Sequence, residues 1–342
     1  MEAIKWNSDS ITVLNAQLLP DKSYYHNYKN FREIGAAVEA KIIPGTVSRA
    51  IAVVMSASLT AEQSVNLKAD QFKEHLSFVV DYFEKITLAN PLTGGILSKL
   101  RKEVAGSSNN TETVKKFKEM SVSFFSDLHD RCAAVAENVQ HTMVSGESIL
   151  LFSAAGSSLA APAGGFITSA LIAAKKDDKQ ISTCCCETRP DFSGSRIMAF
   201  DLKNEGLETQ VIPDIQSHYV MKKKLISRVV VVADSIFEKG VFRAHCGCAM
   251  LVLAARSLGV PVDLVIPGFL FDKRDYAEVE IEANRASINE VAIVNNGVVA
   301  PEGIVIGNYL SDTVDCSDIS RFITDKGVFD NWQNTLASLK SS

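Results

Sequence analysis

The chain has 342 residues and a formal net charge of −5, with 46 % hydrophobic and 22 % charged residues. This length suffices for two domains and a large core, and the composition is ordinary for a soluble globular protein. The negative charge argues against nucleic acid as the main partner, because nucleic-acid-binding surfaces carry an excess of basic residues. We expect a cytoplasmic protein, since neither a signal-peptide pattern nor an apolar run of the roughly 20 residues that span a bilayer is present.

The first third of the chain predicts a mainly helical domain behind a small β element. Residues 4–6 and 11–18 form apolar runs typical of strands, and polar residues join them. Apolar residues then recur at helical spacing over residues 31–42, 47–59, 72–86 and 113–144. We expect the last helix to lead into the second domain, which places residues 1–125 in the N-terminal domain and residues 126–342 in the second.

The second domain shows an alternation of strand and helix patterns, which predicts an α/β fold with a Rossmann-like, doubly wound parallel sheet. Residues 283–301 are expected to be mostly loop. The predicted strands cover residues 148–153, 181–187, 207–212, 229–233 and 262–266, and the predicted helices cover residues 164–175, 193–205 and 216–224.

Asp234 is the best-placed polar residue in this alternation. It follows the unbroken β-branched run at residues 229–233, and a helical pattern after Gly240 carries Ala249, Leu253 and Leu258. Ligands of open α/β sheets bind outside the carboxyl ends of the strands, where this acid stands. The pattern is equally typical of a helix cap or a turn-forming residue.

Two further segments follow predicted strands. Gly156 and two serines come after the strand at residues 148–153. Glycine and hydroxyl groups before a helix can bind phosphate. A flexible turn is nevertheless favoured, because neither the P-loop nor the GxGxxG spacing is present. Glu187 and Arg189 follow the next strand and predict either site residues or a salt-bridged loop.

The seven cysteines indicate free thiols in a reducing compartment. Cys184, Cys185 and Cys186 are consecutive in a predicted strand, so at most the first and third share a face. Cys246 and Cys248 lack a second pair of ligands at zinc spacing, and His245 alone is insufficient. We therefore predict no metal site.

Motifs over nearly the whole chain resemble the methylthioribose-1-phosphate isomerase family. This family is related to the alpha, beta and delta regulatory subunits of the translation-initiation guanine-nucleotide exchange factor and to ribose-1,5-bisphosphate isomerase. The segment Pro190-Asp-Phe-Ser-Gly194 leans towards the exchange-factor subunits. The motifs are Ile4-Lys-Trp…Ile11-Thr-Val-Leu…Gln17-Leu-Leu-Pro20, Glu187-Thr-Arg-Pro190…Gly194-Ser-Arg196, Val232-Ala-Asp-Ser-Ile236 and Asn296-Gly…Ala300-Pro-Glu-Gly303…Thr324-Asp-Lys-Gly327.

The resemblance implies an aldose-to-ketose isomerisation that moves hydrogen between C1 and C2 without a metal or other cofactor. The family uses a cysteine and an aspartate, which together can serve as an acid/base pair. The aspartate is present as Asp234, whereas the cysteine position of the THCNAG-like strand is occupied by Ser153. A serine hydroxyl is several pKa units less acidic than a thiol and needs an activating partner.

The family's phosphate-binding positions are also changed. The RGAPAIG loop falls on residues 43–49, the RPTAVN-like segment on residues 90–95, and the Asn-Lys pair on Ala244 and His245. Two arginines, one lysine and the thiol are therefore absent. Arg49, Arg189 and His245 are the residues expected to compensate in part.

Two functions remain open. The favoured prediction is a diverged family member without the parental isomerase activity, acting as a binding or scaffold subunit with a sugar phosphate or a nucleotide as ligand. The alternative is an active isomerase that converts methylthioribose-1-phosphate to methylthioribulose-1-phosphate in methionine salvage. In both cases the resemblance implies a homodimer or a heteromer with related subunits.

Overall fold

A three-stranded antiparallel sheet begins the chain. The structure, a computed structural model, describes residues 3–7, 9–87, 91–157, 165–277, 279, 287–294 and 297–341. The strands are β1 (Ile4–Trp6), β2 (Ile11–Leu14) and β3 (Tyr25–Tyr28), in the order β1-β2-β3. The strand predicted over residues 11–18 is shorter than expected, because the Asn15 side chain accepts a hydrogen bond from the backbone N–H of Gln17 and begins a 3-10 turn.

The helices that follow form the N-terminal region. Because α2 is rich in alanine and serine, neighbouring helices can approach it closely, and most of its residues are buried. Sequence periodicity missed α4, and residues 88–90 before it lie outside the described residues. The helices are α1 (Phe31–Glu39), α2 (Thr46–Ser64), α3 (Ala69–Ile86), α4 (Pro91–Ala105) and α5 (Asn110–Thr142).

Helix α5 packs against both α2 and the first helix of the second region. The domain boundary predicted at residue 125 falls inside this continuous 33-residue helix. The division into residues 1–125 and 126–342 therefore stays a prediction.

The remaining elements alternate as the sequence predicted. Gly164, at the expected start of one helix, lies outside the described residues. The strands are β4 (Ser148–Phe152), β5 (Ser182–Cys186), β6 (Thr209–Ile212), β7 (Arg228–Val232), β8 (Ser235–Phe237), β9 (Val241–His245), β10 (Val262–Val265), β11 (Phe271–Asp272), β12 (Ile293–Val294), β13 (Gly297–Val298), β14 (Ser311–Asp315), β15 (Arg321–Thr324) and β16 (Gly327–Phe329). The helices are α6 (Phe166–Lys176), α7 (Phe200–Asn204, preceded by a π turn at Gly194–Ala199), α8 (Ser217–Lys222), α9 (Cys248–Ser257), α10 (Asn289–Ala292) and α11 (Trp332–Lys340).

A large sheet forms the centre of the second region. Within the described residues it has seven strands in the order β16-β15-β10-β7-β4-β5-β6, all parallel except β16. In β7, Val229 and Val231 join the core on one face, while Val230 and Val232 join the core on the other. This burial on both faces confirms the predicted parallel strands and the α/β class.

A second sheet, in the order β11-β8-β9-β14, corrects one prediction. The helical pattern expected directly after Gly240 is wrong there, because β9 pairs antiparallel with both β8 and β14. The helix begins only at Cys248, and Leu253, expected on its apolar side, is 54 % exposed.

The segment predicted to be mostly loop, residues 283–301, contains α10 and the short hairpin β12-β13 in its described part. Residues 283–286 and 295–296 of this segment, including Asn296, lie outside the described residues. None of the helices in the described part of the chain combines the length and apolar character needed to cross a membrane.

Candidate functional site

A cleft of about 480 Å³ opens between the N-terminal region and the carboxyl end of the large sheet. Four of the residues proposed from sequence line it, namely Arg49, Ser153, Asp234 and His245. Polar and charged residues that sequence reasoning did not select complete the lining, and they include Gln17, Lys41, Thr46, Asp191, Ser193, Arg196, Arg243, Glu290 and Ser311.

Ser153 and Asp234 are brought together by neighbouring parallel strands. Ser153 directly follows β4, and Asp234 lies two residues beyond the end of β7, which pairs with β4. Ser153 has a φ of +83°, a conformation that is uncommon for a residue other than glycine. The strand ends therefore place the hydroxyl and the carboxylate on the same cleft.

Strand β9 supplies two further side chains, Arg243 and His245. Residues two apart in a strand face the same side, and both of these line the cleft. The backbone N–H of Asp234 donates to the carbonyl of Arg243 at 2.8 Å, which fixes the strand beside the carboxylate. Arg243 was not predicted from the sequence, because a helix was expected here. Residues two apart in a helix do not face the same side, so His245 gave no reason to select Arg243.

His245 and Asp191 form an ion pair at the cleft. Nε2 of His245 lies 3.4 Å from Oδ1 of Asp191, which also accepts a hydrogen bond of 3.0 Å from the Ser193 backbone N–H. Burial alone would lower the pKa of His245, but the hydrogen bond and charge of Asp191 raise it above its ordinary value. Burial would raise the pKa of Asp191, but His245 and Ser193 bring it well below its usual range.

The amino-terminal end of α2 faces the cleft from the other side. Gly45 is the N-cap residue of this helix and has a φ of +74°, a conformation that favours glycine. Arg49 lies one turn into the helix. Burial raises the pKa of Asp234, although the positive charges of Arg243, His245 and Arg49 act in the opposite direction. This carboxyl is therefore a weaker acid than an exposed aspartate.

Lys41 and Glu290 form an ion pair across the mouth of the cleft. This contact joins the N-terminal region to α10. The charged groups that line the cleft thus come from both halves of the chain. Among the lining cations that were not predicted, Arg196 lies within a family motif, the GAR-like Gly194-Ser-Arg196, and this position is the signal that could have identified it.

Three predicted site residues do not line the cleft. Gly156 packs against α6, since a Cβ there would lie 2.3 Å from Cγ1 of Ile167. Glu187 stands at the end of β5, where burial and the charge of Asp214 raise its pKa. Arg189 donates through Nη1 to the Pro190 carbonyl at 3.1 Å and through Nη2 to the Glu290 carbonyl at 3.3 Å.

The described residues of the family's RPTAVN-like segment, 91–95, also do not line the cleft. Asn90 is outside the described residues, and Pro91 begins α4. No group of three or more histidine, cysteine, aspartate or glutamate side chains in the described ranges is arranged to hold a metal ion. The consecutive thiols of β5 are buried, which raises the pKa of Cys184 to about 11 and that of Cys185 to about 12.

Residues 43–331 match the initiation factor 2 subunit family. The chain belongs to this family. The methylthioribose-1-phosphate isomerase of Bacillus licheniformis is 25 % identical over 341 residues, which cover 99 % of this chain and 96 % of that protein. The motif resemblance found in the sequence is thereby confirmed at the level of the family.

Two solved structures of the family share the fold. The 5-methylthioribose 1-phosphate isomerase of Pyrococcus horikoshii OT3 superimposes with a TM-score of 0.84 at 20 % identity, covering 99 % of this chain and 95 % of that one. The delta subunit of the translation initiation factor eIF-2B from A. fulgidus gives a TM-score of 0.82 at 20 % identity and covers 99 % of both chains. An isomerase and an initiation-factor subunit thus resemble this family member equally well in fold.

Proposed function

We propose that the cleft binds a small sugar phosphate and that the chain lacks the isomerase turnover of its enzymatic relatives. The observation that carries this proposal is the position of Ser153. It lines the same cleft as Asp234, so the family's pair of reacting positions is retained in space, but the sulfur atom is replaced by a hydroxyl oxygen.

The charge of the cleft supports an anionic ligand. The lining holds four permanently cationic side chains, Lys41, Arg49, Arg196 and Arg243, against the three carboxylates Asp191, Asp234 and Glu290. The lining therefore carries one excess positive charge, and protonation of His245 would raise this excess to two. The amino terminus of α2, whose residues Gly45 and Thr46 line the cleft, contributes further, since the N–H groups of a first helical turn bind anions.

The loss of turnover follows from the chemistry of the hydroxyl. A serine at this position needs a base or a cation close to its oxygen before it can exchange a proton efficiently. The Ser153 Oγ accepts a hydrogen bond from the Ala155 backbone N–H at 3.3 Å. This contact orients the hydroxyl but does not activate it as a base would.

An active aldose-ketose isomerase is the alternative, and one observation favours it. Asp234 and the Asp191-paired imidazole of His245 line the same cleft, so two groups able to carry protons face one ligand. In that case methylthioribose-1-phosphate would be converted to methylthioribulose-1-phosphate, with His245 in place of the missing thiol.

Calorimetric titration and a turnover assay with methylthioribose-1-phosphate separate the two functions. We expect binding without conversion in the unmodified protein, and we expect Ser153→Cys alone to leave conversion negligible. Turnover at ordinary enzymatic rates that Asp234→Asn abolishes would promote the isomerase alternative. Absence of binding would reject the ligand class.

We also propose that the chain forms a homodimer, or a heteromer with a related subunit, in the cytoplasm. Large apolar side chains are exposed around α8 and α9 in the sheet region, and Ile215 and Met250 are 90 % and 74 % exposed. Such surfaces usually mark interfaces, and two-fold dimers are the commonest closed assembly. A monomer by light scattering at micromolar concentration would count against this assembly.

A further inference from the structure

Arg196 differs from Lys41 and His245 in its lack of a carboxylate ion-pair partner among the described residues. Lys41 is paired with Glu290, and His245 is paired with Asp191. The charge of Asp234 acts on both Arg49 and Arg243. No carboxylate of the described residues lies within ion-pair distance of the Arg196 guanidinium. The same is true of Arg49, but the Arg49 Nε donates to the Ile43 carbonyl at 3.5 Å. A cation that faces a ligand cleft without an internal counterion favours an anion supplied by the ligand.

A ring contact orients the Arg196 guanidinium. Its Cζ lies 5.5 Å from the centroid of the Phe192 ring, and its backbone N–H donates to the Phe192 carbonyl at 2.8 Å. Both residues line the cleft. Stacking on an aromatic face restricts the rotamers of an arginine and leaves its N–H groups at the edge, where they can bind a phosphate with two hydrogen bonds.

Arg189 contacts the same ring but has a different position. Its Cζ lies 4.5 Å from the Phe192 centroid, and its N–H groups are used by the carbonyls of Pro190 and Glu290. It does not line the cleft. Arg189, which the sequence favoured as a ligand residue, therefore holds the surrounding backbone, and the two arginines form a matched pair for comparison.

We propose that Arg196 binds the phosphate group of the sugar phosphate and makes the cleft selective for phosphorylated over unphosphorylated sugars. This assignment rests on the proposed function of the cleft. Under this assignment Arg196 recognises the anionic group, in place of the arginines that the family carries in its RGAPAIG and RPTAVN-like segments.

The test measures the affinity of the full-length protein for ribose 1-phosphate and for ribose by calorimetric titration. Arg196→Gln should weaken ribose 1-phosphate binding about 10- to 100-fold, the usual effect of losing a charged hydrogen bond to phosphate. Its affinity for ribose should be unchanged. Arg189→Gln removes the same charge and should change the affinity for ribose 1-phosphate by less than about threefold, because the Arg189 N–H groups are already bonded to the Pro190 and Glu290 carbonyls and make no hydrogen bond to a ligand in the cleft.

Arg196→Lys serves as the second variant, since it keeps the charge and loses the bidentate geometry. We expect its affinity to lie between those of the wild type and Arg196→Gln, and circular dichroism verifies that each variant is folded. If Arg196→Gln does not fold, Arg196→Lys decides the question by comparison with Arg189→Lys, which makes the same exchange.

Equal weakening by Arg196→Gln and Arg189→Gln, or an equal loss of ribose and ribose 1-phosphate affinity, would overturn the assignment of Arg196. A wild-type protein that binds no sugar phosphate would instead overturn the function proposed for the cleft. These two failures are distinguishable, because only the second is seen without any substitution.

Discussion

Replacing His245 by glutamine tests the electrostatic account of the cleft. The His245–Asp191 pair is largely buried, with side-chain exposures of 15 % and 29 % and a separation of 3.4 Å. Charge-assisted hydrogen bonds contribute about 1.5–3 kcal/mol. Because this contact is longer than the usual 2.7–2.9 Å of such bonds and Nε2 has no partner with hydrogen-bond geometry, we expect the smaller contribution of an ion pair, about 1 kcal/mol, at pH 6.

The pH dependence of this loss has a defined sign. The pKa of His245 is higher in the folded than in the unfolded protein, because Asp191 favours the imidazolium. The stabilisation is therefore fully present below the unfolded pKa of about 6.5 and declines as the pH rises through the folded value. The difference in unfolding free energy between wild type and His245→Gln should shrink between pH 6 and pH 9.

Urea unfolding at several pH values measures this difference, and a double-mutant cycle with Asp191→Asn isolates the pair. Proton NMR supplies an independent readout, since the chain has six histidines and His245→Gln identifies the resonance. That resonance should titrate above the ordinary histidine pKa and move down in Asp191→Asn. A pH-independent stability difference, or a titration unaffected by Asp191→Asn, would refute the reasoning.

Two further predictions concern the scaffold. Arg228 is buried and pairs with Asp263 and Glu147, both at 2.9 Å. Asp263 keeps a second partner in Arg321 at 2.8 Å, so Arg228→Ala removes charged hydrogen bonds without leaving this carboxylate unpaired and should cost about 1.5–3 kcal/mol of unfolding free energy in urea. A loss below about 1 kcal/mol is what an exposed salt bridge contributes, and it would show that this buried network adds little to stability. Gly156→Ala should lower stability by about 1–3 kcal/mol through the contact with Ile167, whereas Gly94→Ala, with open space around its Cβ in α4, should leave stability equal or slightly higher. Thermal unfolding compares the two, and similar midpoints would contradict the packing argument.

The parallel sheet could be predicted because its signal is local. The valine run of β7 is buried on both faces, and such a strand needs no polar alternation. Because the carboxyl ends of parallel strands meet at one edge of a sheet, the sequence also predicted that Asp234 and Ser153 lie at that edge. Both conclusions depend on short stretches of sequence whose burial pattern is unambiguous.

The rest of the cleft depends on contacts between distant segments. Strand β9 pairs with β14, about 70 residues further along the chain. The alternation of apolar and polar side chains within β9 alone was too short to distinguish this strand from the helix that follows. Lys41 and Glu290 are 249 residues apart in the sequence, so no local pattern could predict their ion pair. The sequence likewise could not show which of Arg189 and Arg196 lines the cleft, because both lie close together in one motif and both stack on Phe192.

The central claim concerns binding without turnover, and phosphorus NMR of methylthioribose-1-phosphate with a stoichiometric amount of the protein tests both parts at once. We predict that the phosphate resonance shifts or broadens on addition of the protein and that no methylthioribulose-1-phosphate resonance grows with time. An unchanged substrate resonance would contradict the binding claim. Conversion to product, absent in Asp234→Asn, would contradict the loss of isomerase activity.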